Sequence, residues 1–123
     1  MKVIQSQYSA VARYITKDGS EIRELMHPNV QGNHAQSLAE ATVMPGMRTA
    51  LHQHLITEEI YHFTRGSGTM RLGDKTFPVG AGDTIAIPPY TAHCVNNTGN
   101  EPMKILCACS PAYSHDDTFL LSQ

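Results

Sequence analysis

The sequence lacks the features that mark membrane, secreted and nucleic-acid-binding proteins. No apolar run approaches the roughly 18 residues of a transmembrane helix, and the opening stretch, MKVIQSQYSA, contains no apolar core of signal-peptide length. The net charge is only −2, which leaves no basic face for nucleic acid and no polybasic segment for a membrane surface. We therefore expect a cytoplasmic protein with no nucleic-acid or membrane partner.

Cysteine is also scarce, with residues at positions 94, 107 and 109 only. An odd count without a signal peptide argues against a disulfide framework. Cys107 and Cys109 share one face of a strand-like run, so we interpret them as small buried side chains. Charged residues make up 16% and apolar residues 41% of the 123 residues, which is typical of one globular domain rather than a disordered chain.

What the chain has is a succession of short strand-like segments separated by glycine and proline. Predicted strands are Val11–Thr16, Glu21–His27, Gln36–Met44, Thr49–Gln53, Glu59–Thr64, Thr69–Leu72, Lys75–Val79, Thr84–Ile87, Ala92–Asn96 and Met103–Cys109. A tight hairpin turn is predicted at Gly73, which supplies positive φ. This spacing predicts an all-β sandwich or barrel, closed so that strand edges are covered. The later segment YSHDDTFLL fits either a helical turn or a final strand.

The stretch LHQHLITEEIYHFTRG is the first candidate for chemistry. His52 and His54 lie two residues apart on a predicted strand, so their side chains share a face with Cα atoms roughly 6–7 Å apart. Two imidazoles at that separation can bind one metal ion. Either Glu58 or Glu59 can add a carboxylate from the next strand, and the alternation of polar and apolar residues does not choose between them.

A second stretch, GDTIAIPPYTAHCVNN, contains a single histidine, His93, after a Pro-Pro turn. Together the two stretches resemble the paired motifs of the cupin superfamily. The first motif is Gly, five residues, His-x-His, three or four residues, Glu, six residues, Gly, and it is matched by Gly46, His52, His54, Glu59 and Gly66. Only Glu59 gives the closing glycine its family spacing.

The second family motif is Gly, five residues, Pro-x-Gly, two residues, His, three residues, Asn. It is matched by Gly82, Pro88, His93 and Asn97. Tyr90 stands where the family has its middle glycine, which questions the turn geometry and leaves the metal ligands untouched. A small cupin group that includes a metal-dependent aromatic polyketide cyclase is similar in DGSEIRELMHP, SLAEATVMPG and SPAYSHDD.

The resemblance implies a single-domain jelly-roll barrel, the double-stranded β-helix, over residues 1–123. The motif core lies at 46–97, with flanking strands at 1–45 and 98–123. One divalent transition-metal ion is expected on His52, His54, Glu59 and His93. Three neutral imidazoles and one carboxylate leave positions open on a six-coordinate ion and are compatible with Fe, Mn, Zn, Ni, Co or Cu.

Side chains on the ligand-bearing faces are candidate pocket residues. Arg48 has the parity of His52, so it can point inward near the rim and pair with a substrate carboxylate. An exposed position at the strand end is the alternative. If Glu59 faces inward, Tyr61 and Phe63 follow it and form an apolar wall.

The catalytic group is not identified, because the metal occupies the inward glutamate. Candidates are Tyr90, near the site mouth, and Glu40, mid-strand, for which a solvated side chain is the alternative. The first functional hypothesis is an enzyme acting on a small oxygen-rich molecule, as a cyclase or isomerase or as a dioxygenase. The second is a non-catalytic small-ligand or metal-binding module. We expect a homodimer, because small cupins often cover strand edges with a second copy.

Overall fold

The computed structural model describes residues 1–122 and confirms the all-β prediction. Its strands are β1 (Arg13–Ile15), β2 (Glu21–Met26), β3 (Ser37–Val43), β4 (His52–His54), β5 (Glu58–Arg65), β6 (Ser67–Leu72), β7 (Lys75–Gly80), β8 (Thr84–Ile87), β9 (His93–Asn96), β10 (Met103–Ser110) and β11 (Thr118–Leu120). Single 3₁₀ turns lie at Tyr8–Ala10 and His115–Asp117. Within residues 1–122, no helix has the length and apolarity needed to cross a membrane.

The strands form two antiparallel sheets with a shared interior. The strand order is β1-β2-β3-β10-β5-β8 in the first sheet and β11-β4-β9-β6-β7 in the second. Buried apolar side chains of both sheets, among them Phe63 of the first and Met70 of the second, form one cluster. Because β10 pairs with β3 and β5, strands distant in sequence become neighbours, as in a jelly roll.

Local patterns explain most of the strand bounds. The predicted hairpin is present, with Leu72 opposite Lys75 and Gly73 at φ 60°. The segment near the C terminus contains both predicted alternatives in succession, a 3₁₀ turn and then β11. The strand predicted to begin at Thr49 begins only at His52. The amide of Thr49 instead donates a hydrogen bond to the carbonyl of Val95 outside the regular pairing of strands.

The size of the buried side chains changes along the interior and opens space at one end. The inward residues of β3 and β10 meet as Ser37–Cys109, Ala39–Cys107, Ala41–Ile105 and Val43–Met103. The small pairs leave a gap between the sheets, and the large pairs fill it. His52 and His54 lie at the end with the small pairs, where they line a cavity together with Ser37, Ala39 and Cys109.

The opposite end is packed without room for one more carbon atom. A Cβ at Gly68 would lie 2.1 Å from the carbonyl oxygen of Asn96 and 2.6 Å from Cε of Met103. Close approach of β6 to β9 therefore requires glycine at this position. Met103 and Phe63 are fully buried there.

Candidate metal centre

Three strands bring the predicted ligand residues to one end of the interior. His52 and His54 are the first and last residues of β4, and both are 3% exposed. His93 opens β9 directly opposite His52, and its side chain is fully buried. Glu59 enters from β5 and is buried, whereas Glu58 is exposed.

The side chains of these residues converge. The candidate ligand atoms of His52, His54 and His93 all lie within 4.8 Å of one another. One carboxylate oxygen of Glu59, Oε1, lies 3.2 Å from Nε2 of His54 and 3.5 Å from Nε2 of His93. His93, about forty residues beyond His52 and His54 in the sequence, therefore joins them and Glu59 in one cluster of nitrogen and oxygen donors.

Hydrogen bonds on the far side of each ring fix which nitrogen faces the cluster. Nδ1 of His52 is 2.8 Å from the carbonyl oxygen of Ala50, and Nδ1 of His93 is 2.9 Å from that of Thr91. A carbonyl oxygen only accepts, so both Nδ1 atoms carry protons. In the neutral ring this leaves Nε2 as a lone pair aimed inward.

His54 follows the same rule through a hydroxyl group. The hydroxyl of Thr118 donates to the carbonyl of Ser114, so its oxygen accepts a hydrogen bond from Nδ1–H of His54 at 3.1 Å. Thr118 belongs to β11, which pairs with β4. The C-terminal segment therefore orients a candidate ligand, a role that sequence reasoning missed, because no spacing rule connects Thr118 to His54.

The donor set fits a metal ion. Oε1 of Glu59 and Nε2 of His93 are buried and have no hydrogen-bond partner among the described residues. Unpaired buried polar atoms are costly, and two lone pairs facing each other repel. A cation between them removes both costs, and mixed imidazole and carboxylate donors suit several divalent transition metals.

Electrostatics within the cluster shift the pKa values of its members in opposite directions. Burial alone would raise the pKa of Glu59, but the neighbouring imidazoles of His54 and His93, which favour the carboxylate, lower it to about 2. Burial opposes protonation of His54, yet the Glu59 carboxylate raises the pKa of this histidine above its ordinary value. Burial, reinforced by the neighbouring His93, lowers the pKa of His52 to about 4. The glutamate is thus held as an anion and His52 as a neutral ring.

Asp18, an acidic residue outside both sequence motifs, lies beside the histidine cluster. Asp18 lies in the turn between β1 and β2, and its Oδ2 is 3.5 Å from Nε2 of His52. In the sequence, Asp18-Gly19 has the composition of an ordinary turn. Its position beside His52 depends on the pairing of distant strands and leaves no local signal.

The cluster opens into a cavity of about 40 Å³, which is room for two or three water molecules. Small and polar side chains form most of its wall. The lining residues are Tyr14, Thr16, Asp18, Ser20, Ile22, Glu24, Ser37, Ala39, Ala41, His52, His54, Glu59, Tyr61, Cys107, Cys109 and Tyr113. This lining contains carboxylates and no lysine or arginine.

The thiols of the cavity wall stay protonated. Burial, followed by the Glu59 carboxylate, raises the pKa of both Cys107 and Cys109. Sγ of Cys109 donates to Oε2 of Glu59 at 3.3 Å. Cys109 therefore orients the carboxylate, and neither thiol offers the thiolate that soft metal sites use.

Glu24, at the rim of the cavity, has a raised pKa because it is partly buried. The hydroxyl of Tyr14 donates to its Oε2 at 3.1 Å. Its other oxygen, Oε1, is buried without a hydrogen-bond partner in the described part of the chain. Glu24, Tyr14 and Tyr113 line both this cavity and a wider depression beside it, so they form the rim between the two.

Of the three predicted pocket residues, one lines the cavity, one lies in the apolar core and one is exposed. Tyr61 lines the cavity, and Phe63, two residues further along β5, lies in the apolar cluster. Arg48 is exposed and is not part of the lining. Its predicted parity with His52 does not hold, because Leu51 and His52 are both buried and the alternation breaks between them.

Neither predicted catalytic candidate faces the cavity. Tyr90 is 72% exposed, in the turn before His93. Glu40 lies on the outer face of β3, opposite the side of Ala39 and Ala41, where it accepts a hydrogen bond from Tyr8 and pairs with Lys104 at 3.7 Å. Strand alternation accounts for this position, since even-numbered residues of β3 face outward.

Known proteins match most of this chain in sequence. An uncharacterised protein of Methanocaldococcus jannaschii is 53% identical over 121 residues, which cover 98% of this chain and 97% of that protein. An oxalate-binding protein of Thermotoga maritima is 30% identical over 86 residues, or 70% of this chain and 71% of that protein.

Solved structures show the same architecture. A predicted oxalate decarboxylase from Thermotoga maritima superposes with a TM-score of 0.74 at 27% identity, covering 89% of this chain and 99% of that one. The polyketide cyclase RemF from Streptomyces resistomycificus gives a TM-score of 0.83 at 20% identity, covering 99% of this chain and 87% of that one, and shares the fold. The cupin domain family matches residues 39–109, which include all the clustered histidines. The chain belongs to the cupin domain family.

Proposed function

We propose that this cupin binds one divalent transition-metal ion through His52, His54, His93 and Glu59. The observation that carries the proposal is the direction of the lone pairs. Each ring directs its Nδ1 proton outward to a fixed acceptor, so the Nε2 atoms and the Glu59 carboxylate face one another. A cation is the group that such an arrangement accommodates.

The metal, when bound, would supply a Lewis acid that polarises a carbonyl or hydroxyl oxygen of a small ligand. The chain's own residues do the remaining work. The small side chains of Ala39 and Ala41 leave room for the ligand, and Tyr61 separates the cavity from the apolar core. Glu24, with its raised pKa and one unpaired oxygen, is suited to hold or release a proton at the rim.

We infer that the ligand is a neutral, oxygen-rich molecule rather than a dianion. Asp18, Glu24 and Glu59 line the cavity, and its described lining contains no lysine or arginine that could pair with an anionic ligand. A dicarboxylate would meet like charges at the rim, whereas hydroxyl and carbonyl groups find acceptors and a metal. We propose an enzyme that either cyclises or isomerises such a molecule through an enolate or dioxygenates it, because the proposed metal can polarise a carbonyl oxygen and Glu24 can hold a proton.

A non-catalytic ligand-binding module is the second candidate. The cavity of about 40 Å³ admits only a very small molecule without movement of its walls. One relative is an oxalate-binding protein. This size and likeness favour capture of a small ligand without chemical conversion.

The first experiment measures metal content. Purified wild type should contain about one transition-metal ion per chain by elemental analysis, and His93→Gln should lose it. His34→Gln, at an exposed histidine, is the matched control and should retain the metal. Stoichiometric metal in folded His93→Gln would contradict the proposal.

The second experiment separates the two functions. Metal-loaded protein is mixed with oxalate, as the dianion, and with hydroxyacetone, as a neutral molecule of similar size with a hydroxyl and a carbonyl group, and binding is followed by calorimetry. We expect hydroxyacetone to bind more tightly than oxalate because of the charge of the wall. A wider set of phenols and enolisable ketones, followed by NMR with and without oxygen, then tests conversion. Binding without conversion across that set favours the module.

The homodimer and the cytoplasmic location belong to the same proposal. Leu38 and Ile60 are 37% and 41% exposed on the outer face of the first sheet, and both lie beside Ala108 of β10. Such a patch fits a subunit contact. A stable monomer at micromolar concentration in a sedimentation measurement would contradict the dimer, and cell fractionation tests the location.

A further inference from the structure

We propose that Asp18 is a second carboxylate ligand of the metal centre. The inference rests on the proposed metal site and adds a donor that lies outside both sequence motifs. It changes the donor set from three imidazoles and one carboxylate to three imidazoles and two.

The two oxygens of Asp18 have different surroundings. Oδ1 accepts hydrogen bonds from the hydroxyl of Thr16 at 2.7 Å, from the amide of Ser20 at 2.9 Å and from the hydroxyl of Ser20 at 2.6 Å. Oδ2 instead points at Nε2 of His52, 3.5 Å away. Thr16 and Ser20 therefore fix the carboxylate with one oxygen aimed into the cluster.

Backbone contacts hold the loop and the ligand strand together. The amide of Ala50 donates to the carbonyl of Asp18 at 2.7 Å. The carbonyl of Ala50 in turn accepts the Nδ1 proton of His52 at 2.8 Å. Asp18 and His52 are thus positioned by the same residue, and their separation does not depend on a flexible loop.

Oδ2 of Asp18 and Nε2 of His52 are two hydrogen-bond acceptors that face each other, as elsewhere in the cluster. Because Nδ1 of His52 carries a proton, its Nε2 offers a lone pair to Oδ2 of Asp18, and two acceptors meet. Glu59 faces His54 and His93 in the same way. Each imidazole of the cluster therefore has one carboxylate oxygen beside it.

A second carboxylate has two chemical consequences. Two carboxylates balance the charge of a divalent ion, so a neutral ligand fits the site better than an anion. Oxygen donors also favour Mn²⁺ and Fe²⁺ relative to a nitrogen-rich set, which favours Ni²⁺ and Cu²⁺.

The test titrates metal-free protein with Mn²⁺ and with Ni²⁺ by calorimetry. Asp18→Asn keeps an oxygen for Thr16 and Ser20 and replaces the other with an amide nitrogen that cannot bind a cation. We expect Mn²⁺ binding to weaken by about 10-fold to 100-fold, and Ni²⁺ binding to weaken less. Asp74→Asn, in the exposed hairpin turn, is the matched control and should bind as wild type does.

His93→Gln separates this inference from the proposed function. Wild-type affinity in Asp18→Asn, together with lost binding in His93→Gln, overturns the role of Asp18 and leaves the metal site intact. Unchanged binding in His93→Gln, or no binding by wild type, overturns the metal site and this inference with it.

A measurement on the wild type decides the question if Asp18→Asn does not fold. Protein made with carboxyl-¹³C aspartate is loaded with Mn²⁺ and studied by pulsed EPR. A strong ¹³C coupling, lost on chelation of the metal, is expected from a directly bound Asp18. Its absence in metal-loaded protein overturns the inference.

Discussion

The two ends of the barrel interior are built from the same strands and have opposite characters. On β5 the inward residues run from Glu59 through Tyr61 to Phe63, that is, from the metal cluster to the apolar core. On β9 the inward residues likewise run from the metal cluster, at His93, to the apolar core, at Val95. Tyr61 lies at the boundary and belongs to both the cavity wall and the core.

The difference shows how a small domain keeps a polar site stable. Unpaired acceptors and a cavity cost free energy at one end. Tight apolar packing at the other end, around Met103 and Gly68, offsets that cost. The comparison predicts that substitutions at the packed end reduce stability, whereas substitutions at the cavity end reduce ligand binding.

The largest effect is expected at the packed end. Phe63→Ala removes a fully buried ring between the sheets and should lower the free energy of unfolding by about 3–5 kcal/mol. Urea unfolding of metal-free protein measures this loss. Phe119→Ala, at a ring that is 42% exposed, is the control and should change stability much less. Equal losses in the two variants would break the distinction between the packed end and the rest.

Metal addition should produce the next largest effect, and only at the cavity end. A ligand that binds only the folded state at a thousand times its Kd stabilises by about 4 kcal/mol. Wild type and Phe63→Ala should both gain this stability on titration with the metal, since Phe63 is outside the cavity lining. His93→Gln should gain none, as judged by the unfolding midpoint with metal and with chelator.

The strands follow from local sequence and the histidine cluster from family spacing, whereas the remainder of the site follows from neither. Alternation along β5 leaves its inward face open, and family spacing decides it by pointing to Glu59 rather than Glu58. Arg48 escapes this logic, because irregular pairing before β4 breaks the alternation. Asp18 escapes it as well, because its neighbour His52 is brought to it only by the tertiary fold.

The C-terminal segment is a further case in which tertiary contacts decide. Asp117 accepts hydrogen bonds from the amides of Leu55, Ile56 and Thr57 at 3.1–3.2 Å. These residues connect β4 to β5, between two candidate ligands. The sequence shows only a polar tail, since no pattern indicates which loop a distant carboxylate will meet.

Loss of the Asp117 carboxylate should give an intermediate effect that reaches the metal site. Asp117→Asn leaves some of these amides without an acceptor and should cost about 1–3 kcal/mol of stability. Metal affinity should fall as well, because the loop between His54 and Glu59 loosens. Asp116→Asn, at the exposed neighbouring residue, is the matched control. Unchanged stability and unchanged metal affinity in Asp117→Asn would remove the link between the tail and the site.

The smallest effect is expected at Tyr90, where the sequence departs from the cupin motif. Tyr90 has φ 66°, in the left-handed region, and the motif glycines Gly46, Gly66 and Gly82 also have positive φ. The turn therefore keeps the geometry that glycine usually provides, with a strained tyrosine in it. Relief of that strain is partly offset by the greater freedom of glycine in the unfolded chain.

Tyr90→Gly should therefore be at least as stable as wild type, and more stable than Tyr90→Ala by about 1 kcal/mol. The ring is mostly exposed, so little packing is lost in either variant. Thermal unfolding of the two variants side by side measures the difference. Greater stability in Tyr90→Ala would mean that the left-handed turn before His93 is not retained in solution. Metal affinity should be the same in both variants, because the amide of residue 90 still bonds the carbonyl of His54.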